Sequence, residues 1–266
     1  MLPFAFLKRD FLISISYKTS FLIQLGGIFF AVPLFYFSTK IVDGKAFGPA
    51  LDAYGGNIFA FLLIGVALVD FSSTSLRTFS ESLRESQLMG TLEIVLLAPV
   101  RLSEILIYSS FWSYVLTTVR FILYLAFGTV FGFSLGNANI LGAFVILCLA
   151  ILSFAAIGML VSTATMVIKR GEGLNTLVGA ASVFLGGVIY PVSVLPSWMA
   201  ALSKLLPITY ALTAMRLALI EGRSTADLLP QIGILIVFAA VLLPLAFFSF
   251  WMAVRLTKAS GTLGQY

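Results

Sequence analysis

The sequence predicts an all-α polytopic membrane protein, and three observations carry that expectation. Of 266 residues, 60% are hydrophobic and only 10% are charged, whereas a soluble domain carries about 25% charged residues. The charges leave long uncharged runs at 19–39, 53–69, 105–119, 121–168, 173–203 and 228–254. A helix needs about 20 mostly apolar residues to cross the hydrocarbon. Helix-breaking prolines gather at one place, Pro191, Pro196 and Pro207, late in the chain. Soluble enzymes, disordered tails and disulfide scaffolds are excluded on composition.

The runs resolve into six expected spans, at about 20–38, 56–76, 107–133, 140–168, 174–192 and 230–254. The run 121–168 is long enough to supply parts of two, and the turn signal Ser134-Leu-Gly-Asn-Ala-Asn139 divides it. The first run is too long for a signal-peptide core and lacks a small-x-small cleavage site, so it is expected to be retained. Lys and Arg then set the orientation. With the N-terminus inside, ten of the sixteen cations fall in inside segments and five (Lys40, Lys45, Lys204, Arg216, Arg223) outside. The remaining one, Arg120, lies within a span. Both termini are therefore expected to be cytoplasmic, in the plasma (inner) membrane.

Three segments are not read as spans. Residues 1–19 place Phe4, Leu7, Phe11 and Ile15 at helical spacing among Lys8, Arg9 and Lys18, which suits a helix lying in the interface. An ordinary positive flank is the plainer alternative. Residues 77–104 hold seven of the 27 charges and read as two short amphipathic helices on a cytoplasmic shelf. Arg77, Glu81, Arg84 and Glu85 lie on the first, Gly90 is the joint, Thr91 caps the second with Glu93 in its first turn, and Pro99 ends it. Residues 191–222 read as an outer re-entrant helical hairpin between spans five and six. Tyr190, Pro191 and Pro196 mark its entry, Trp198 lies on its apolar face, and Pro207 breaks it in two.

Several residues invite chemistry. Asp70 and Arg120 lie within neighbouring spans, where an unpaired charge costs about 2.5–3.5 kcal/mol on insertion scales. They pair with each other, or Arg120 faces a pathway and attracts an anionic headgroup. Gly128, Gly132 and Gly136 are spaced for close helix approach, within one chain or between two. Cys148 has no partner cysteine and sits in an apolar run, so a small buried residue is expected. With no histidine, the commonest general base and zinc ligand are missing. The net charge of +5 has no basic cluster longer than two residues behind it, so nucleic acid is not an expected partner.

The stretch Met89-Gly-Thr-Leu-Glu-Ile-Val-Leu-Leu-Ala-Pro-Val100, six spans and the Tyr190-Pro-Val-Ser-Val-Leu-Pro196 break together resemble the membrane subunit of an ABC-2-type ABC transporter. That resemblance implies a permease half that dimerises, bound to lipid and driven by two copies of a separate ATP-binding subunit. ATP and Mg would sit on that subunit. It implies that the 77–104 shelf docks on the ATPase and that the 191–222 hairpin gates the pathway outside. No G-x-x-x-x-G-K-[S/T] occurs, so a phosphate-cradling loop of the usual kind is absent. Export of an amphiphile, a lipid-linked glycan or a lipophilic drug-like molecule, is the expected activity. The competing classes are an ATP-independent secondary transporter or channel, which paired broken helices would favour, and a multi-pass membrane enzyme, which would need clustered carboxylates.

Overall fold

The computed structural model describes residues 8–12, 16, 18–41, 54, 56–88, 102–168 and 172–259. All regular structure among them is helical: α1 (Lys18–Ile41), α2 (Ile58–Leu88), α3 (Leu102–Val130), α4 (Ile140–Ile168), α5 (Glu172–Leu185), α6 (Ser197–Ser203), α7 (Pro207–Leu219) and α8 (Leu229–Ala259). A single 3₁₀ turn, Val192–Val194, separates α5 from α6.

Four of these helices carry stretches long and apolar enough to cross a bilayer: Ile58–Glu81, Ser110–Val130, Ile140–Met166 and Leu229–Arg255. The apolar parts described for α1 and α5, Gly26–Ile41 and Gly173–Leu185, are shorter. The expected fifth span therefore differs from the observed helix. α5 ends at Leu185, well before 192, because Gly186 and Gly187 turn the chain there and Gly187 adopts φ +78°, a left-handed conformation open to glycine.

α2 and α4 form the centre, packed on each other. α3 and α1 lie on one side of α2, and α8 lies on α4. α7 packs against α2, α4 and α8. Eleven of its thirteen residues are buried, including Ala211, Leu212 and Met215 at 0% exposure. Ile58–Leu88 is uninterrupted, so the first part of the expected shelf is not a separate helix but the continuation of a span. Nothing in that stretch breaks a helix: 58–88 holds no proline, and its one glycine, Gly65, lies far from the expected boundary at 76. The second shelf helix, with Gly90, Thr91, Glu93 and Pro99, lies outside the described residues, as does most of 1–19.

Polar side chains fix the helix starts. Ala60 N donates to Asn57 Oδ1 (3.1 Å) ahead of α2, and Gly142 N donates to Asn139 Oδ1 (2.9 Å) at α4. Asn139 Nδ2 also donates to Arg223 O at 2.8 Å, tying the α3–α4 turn to the chain after α7.

Two further expectations are corrected. The glycine series is not one helix face: α3 ends at Val130, Gly132 has φ +93° in the turn, and Gly136 lies beyond it. Gly128 alone is helical, and a Cβ there would run into Leu63 of the same chain, so its close approach is internal. Cys148 is exposed on α4. That helix is apolar around its whole circumference, so composition could not say which side packs inward.

Candidate functional site: a charged cleft and a stitched helix end

α2 and α3 run antiparallel, and each turns a polar stripe toward the other. On α2 the stripe is Asp70, Ser73, Thr74, Arg77, Thr78 and Glu81. On α3 it is Ser113, Thr117, Arg120 and Tyr124. Steps of three and four residues keep each set on one helix face. Between them opens a cleft of about 580 Å³, with Val66, Val69 and Leu116 as its apolar wall.

The two intramembrane charges meet inside this cleft. Arg120 Nε lies 2.9 Å from Asp70 Oδ2, as an ion pair without straight hydrogen-bond geometry at that nitrogen. Arg120 Nη2 donates to Thr117 Oγ1 at 2.9 Å and to Thr74 Oγ1 at 3.4 Å, and the two threonine hydroxyls are 3.1 Å apart. Tyr114 OH donates to Ser75 Oγ at 2.9 Å, a second tie between the helices. Pairing, the first of the two readings of Arg120, is what the geometry shows. The pair is not sealed off, because its side chains keep 21% and 24% exposure.

Arg77 and Glu81, expected on the shelf, line this same cleft one and two turns beyond Thr74. Both are exposed, and neither has an ion-pair partner among the described residues. Arg84 and Glu85 lie further along the same helix.

At the other end of α2, the residues expected at an outer gate form a different arrangement. A helix end leaves its last carbonyls without intrahelical donors, and in a membrane those groups need partners. Tyr190 OH donates to Phe184 O (2.6 Å), and Ser203 Oγ donates to Leu185 O. Arg216, on α7, donates from Nη1 to Gly187 O (2.8 Å) and from Nη2 to Val188 O (2.9 Å) and Phe61 O (3.1 Å). Its guanidinium carbon lies 3.3 Å from the Phe61 ring centroid, a cation–π contact. Four successive polar ties thus stitch the broken end of α5 to α6, α7 and α2. Gly65 leaves room for them, since a Cβ there would come 2.6 Å from Val188 O and 3.1 Å from Arg216 Nη2.

Pro191 is buried beneath this node, and Pro207 is buried at the first turn of α7, where its missing N–H costs nothing. Pro196 precedes α6 and is exposed, and Trp198 is 65% exposed. The set expected at an outer gate is therefore divided: Tyr190 makes one of these ties, Pro191 and Pro207 are buried, and Pro196 and Trp198 are exposed. Charge counting placed Arg216 in an outer loop, yet it is 2% exposed and the largest fully buried side chain. Its signal was a lone cation amid the apolar series Leu212, Met215 and Leu219.

No group of three or more metal-ligating side chains occurs among the described residues. The chain belongs to the ABC-2 type transporter family, whose model matches residues 53–220. It is similar to the linearmycin resistance permease protein LnrN of Bacillus subtilis (strain 168), at 25% identity over 227 residues. That alignment takes in 85% of this chain and 56% of the relative, so the chain spans about half the relative's length.

Proposed function

We propose that this chain is the permease half of an ATP-driven exporter. Two copies come together in the plasma (inner) membrane with six spans each and both termini in the cytoplasm. Two separate ATP-binding subunits, carrying ATP and Mg, power them. The cargo is an amphiphile, a lipid-linked glycan or a lipophilic drug-like molecule, and the resistance permease among its relatives favours the second. Residues 77–104 form the cytoplasmic end that meets the ATPase, with Arg84, Glu85, Gly90, Thr91, Glu93 and Pro99 nearest to it. The 191–222 segment is the outer gate.

The observation that supports this reading is the continuity of α2. One helix of 31 residues carries Phe61, held by Arg216, and Leu88 at its end, about 40 Å of rise apart. A displacement applied at the Leu88 end is carried by one rigid element past the Asp70–Arg120 pair to the stitched node. The test is co-purification of the tagged chain with a candidate ATP-binding subunit, followed by ATP hydrolysis of the pair in lipid with and without an amphiphile. Stimulated hydrolysis is expected. A chain that retains no ATP-binding subunit refutes the proposal.

A further inference from the structure

We infer that the α2–α3 cleft is a headgroup site for a zwitterionic amphiphile, with Arg77 taking the anionic group and Glu81 the ammonium. The inference rests on the permease reading only for the origin of the ligand, not for the site itself.

The charge inventory selects the chemistry. Asp70, Arg77, Glu81 and Arg120 line the cleft, two of each sign. A purely anionic headgroup would meet two carboxylates, and a purely cationic one two guanidinium groups. The inner pair, Asp70 with Arg120, is already matched at 2.9 Å and forms a neutral floor. The outer two have no ion-pair partner within 4 Å among the described residues, although Arg77 also feels the Asp70 carboxylate, and they lie one helical turn apart, about 6 Å along α2. A headgroup that carries both signs satisfies both at once.

Volume and surroundings agree. At about 580 Å³ the cleft falls within the roughly 300–1,000 Å³ usual for small-molecule sites. Ser73, Thr78 and Ser113 supply hydroxyls to phosphate or glycerol oxygens, and Val66, Val69 and Leu116 offer an apolar wall to a chain. The cleft lies within the apolar stretches Ile58–Glu81 and Ser110–Val130. α3 beside it turns Phe111, Val119 and Ile122 outward at 54%, 40% and 58% exposure. An amphiphile can therefore place its head among the charges while its tail stays in the apolar layer.

The experiment titrates the purified chain in detergent with lysophosphatidylethanolamine, and in parallel with lysophosphatidylglycerol and dodecyl maltoside, reading bound copies by native mass spectrometry. Lysophosphatidylethanolamine is expected to bind about fivefold more tightly than lysophosphatidylglycerol, the equivalent of about 1 kcal/mol for one exposed charge contact. Glu81→Gln should abolish that preference and Arg77→Gln should weaken both phospholipids, while the exchanged pair Arg77→Glu/Glu81→Arg should restore part of it. Both positions of change are exposed, and an unchanged melting temperature certifies each fold. Equal binding of the two phospholipids by the unaltered chain overturns the inference, as does a preference that survives Glu81→Gln, or tighter binding of the maltoside than of either. A second arm separates the sources. Lysophosphatidylethanolamine that raises ATP hydrolysis in the assembled transporter is cargo-like, and bound ligand that leaves hydrolysis unchanged is a resident lipid. Loss of the ATPase partner would refute the exporter reading and leave the mass-spectrometric result standing.

Discussion

Arg216→Met removes the central stitch of the outer node, and the structure sets the size of the effect. Gly187 O and Val188 O have no other donor among the described residues, and Phe61 O loses its guanidinium contact. Each buried carbonyl left without a donor costs about 1–3 kcal/mol. Removing a buried cation returns part of its desolvation penalty. For two orphaned carbonyls the net loss is about 2–4 kcal/mol by the same magnitudes. At about 2–4 °C per kcal/mol for a chain of this size, the melting midpoint should fall by roughly 5–15 °C. Tryptophan fluorescence of the purified chain reads it, since Trp198 and Trp251 lie in described helices on either side of Arg216 in sequence. Arg216→Lys keeps a cation with fewer donors in a less planar arrangement, so it should fall between wild type and Met. Tyr190→Phe touches a single, exposed tie and should shift the midpoint by less than either. Midpoints for Met and Lys both within about 2 °C of wild type, about 0.5–1 kcal/mol by that conversion, would show that the carbonyls find other donors and that the node is not held by this side chain.

The two close glycine approaches should respond unequally. Gly158→Ala drives its Cβ into Ser75 O, a backbone atom, and should cost about 1–3 kcal/mol, whereas Gly128→Ala meets the mobile end of Leu63 and should cost less. Thermal melts of the two variants check the order. Asp70→Asn and Arg120→Gln should each lower the yield of folded chain, while the exchange Asp70→Arg/Arg120→Asp should recover part of it, because the charges face each other across the cleft. Spin labels at exposed Leu177 on α5 and Leu205 beside α6, with Cys148 replaced by Ser, should keep one distance through the ATP cycle of the assembled transporter. A change of about one helical turn, 5.4 Å, would show that the two move apart.

Four of the spans were legible because apolar length and missing charge are properties of composition alone. The Asp70–Arg120 pair was legible as one of two options, since opposite charges at mid-depth on consecutive spans have few other ways to be solvated. The cleft was harder. Ser73, Thr74, Thr78, Ser113 and Thr117 are ordinary residues in a membrane helix, and only their repetition at three and four steps on two facing helices makes a site. The continuity of the helix past Arg77 was not legible, because a charge there reads as the membrane surface, while a helix ends only where its backbone is broken, and nothing between 58 and 88 breaks it. Arg216 was hidden for the opposite reason. A cation in an outer segment counts as a surface charge until the carbonyls of a broken helix, 28 and 29 residues earlier, are seen to surround it.

The stitching restricts how α5, α6 and α7 can move against one another. Phe184, Leu185, Gly187 and Val188 each offer a carbonyl to a side chain from the segment that follows. Pulling α6 and α7 away from α5 without admitting water would orphan the last three, at about 1–3 kcal/mol apiece, before any loss of the apolar contacts around Ile208 and Leu212. Sliding the whole unit, with α5, α6 and α7 fixed to one another, breaks none of these bonds. Phe61 O extends the same constraint to α2, so the unit and the outer end of α2 travel together. The surface that yields must then lie elsewhere. α2 and α3 are joined at the cleft by one ion pair, a few hydroxyl contacts and a cavity, with both charges still partly exposed. Breaking that seam exposes groups that water or a headgroup can satisfy, whereas breaking the node exposes carbonyls that hydrocarbon cannot. At the cleft, then, a movement along α2 uncovers only groups that water or a headgroup can satisfy, which sets that seam apart from the node.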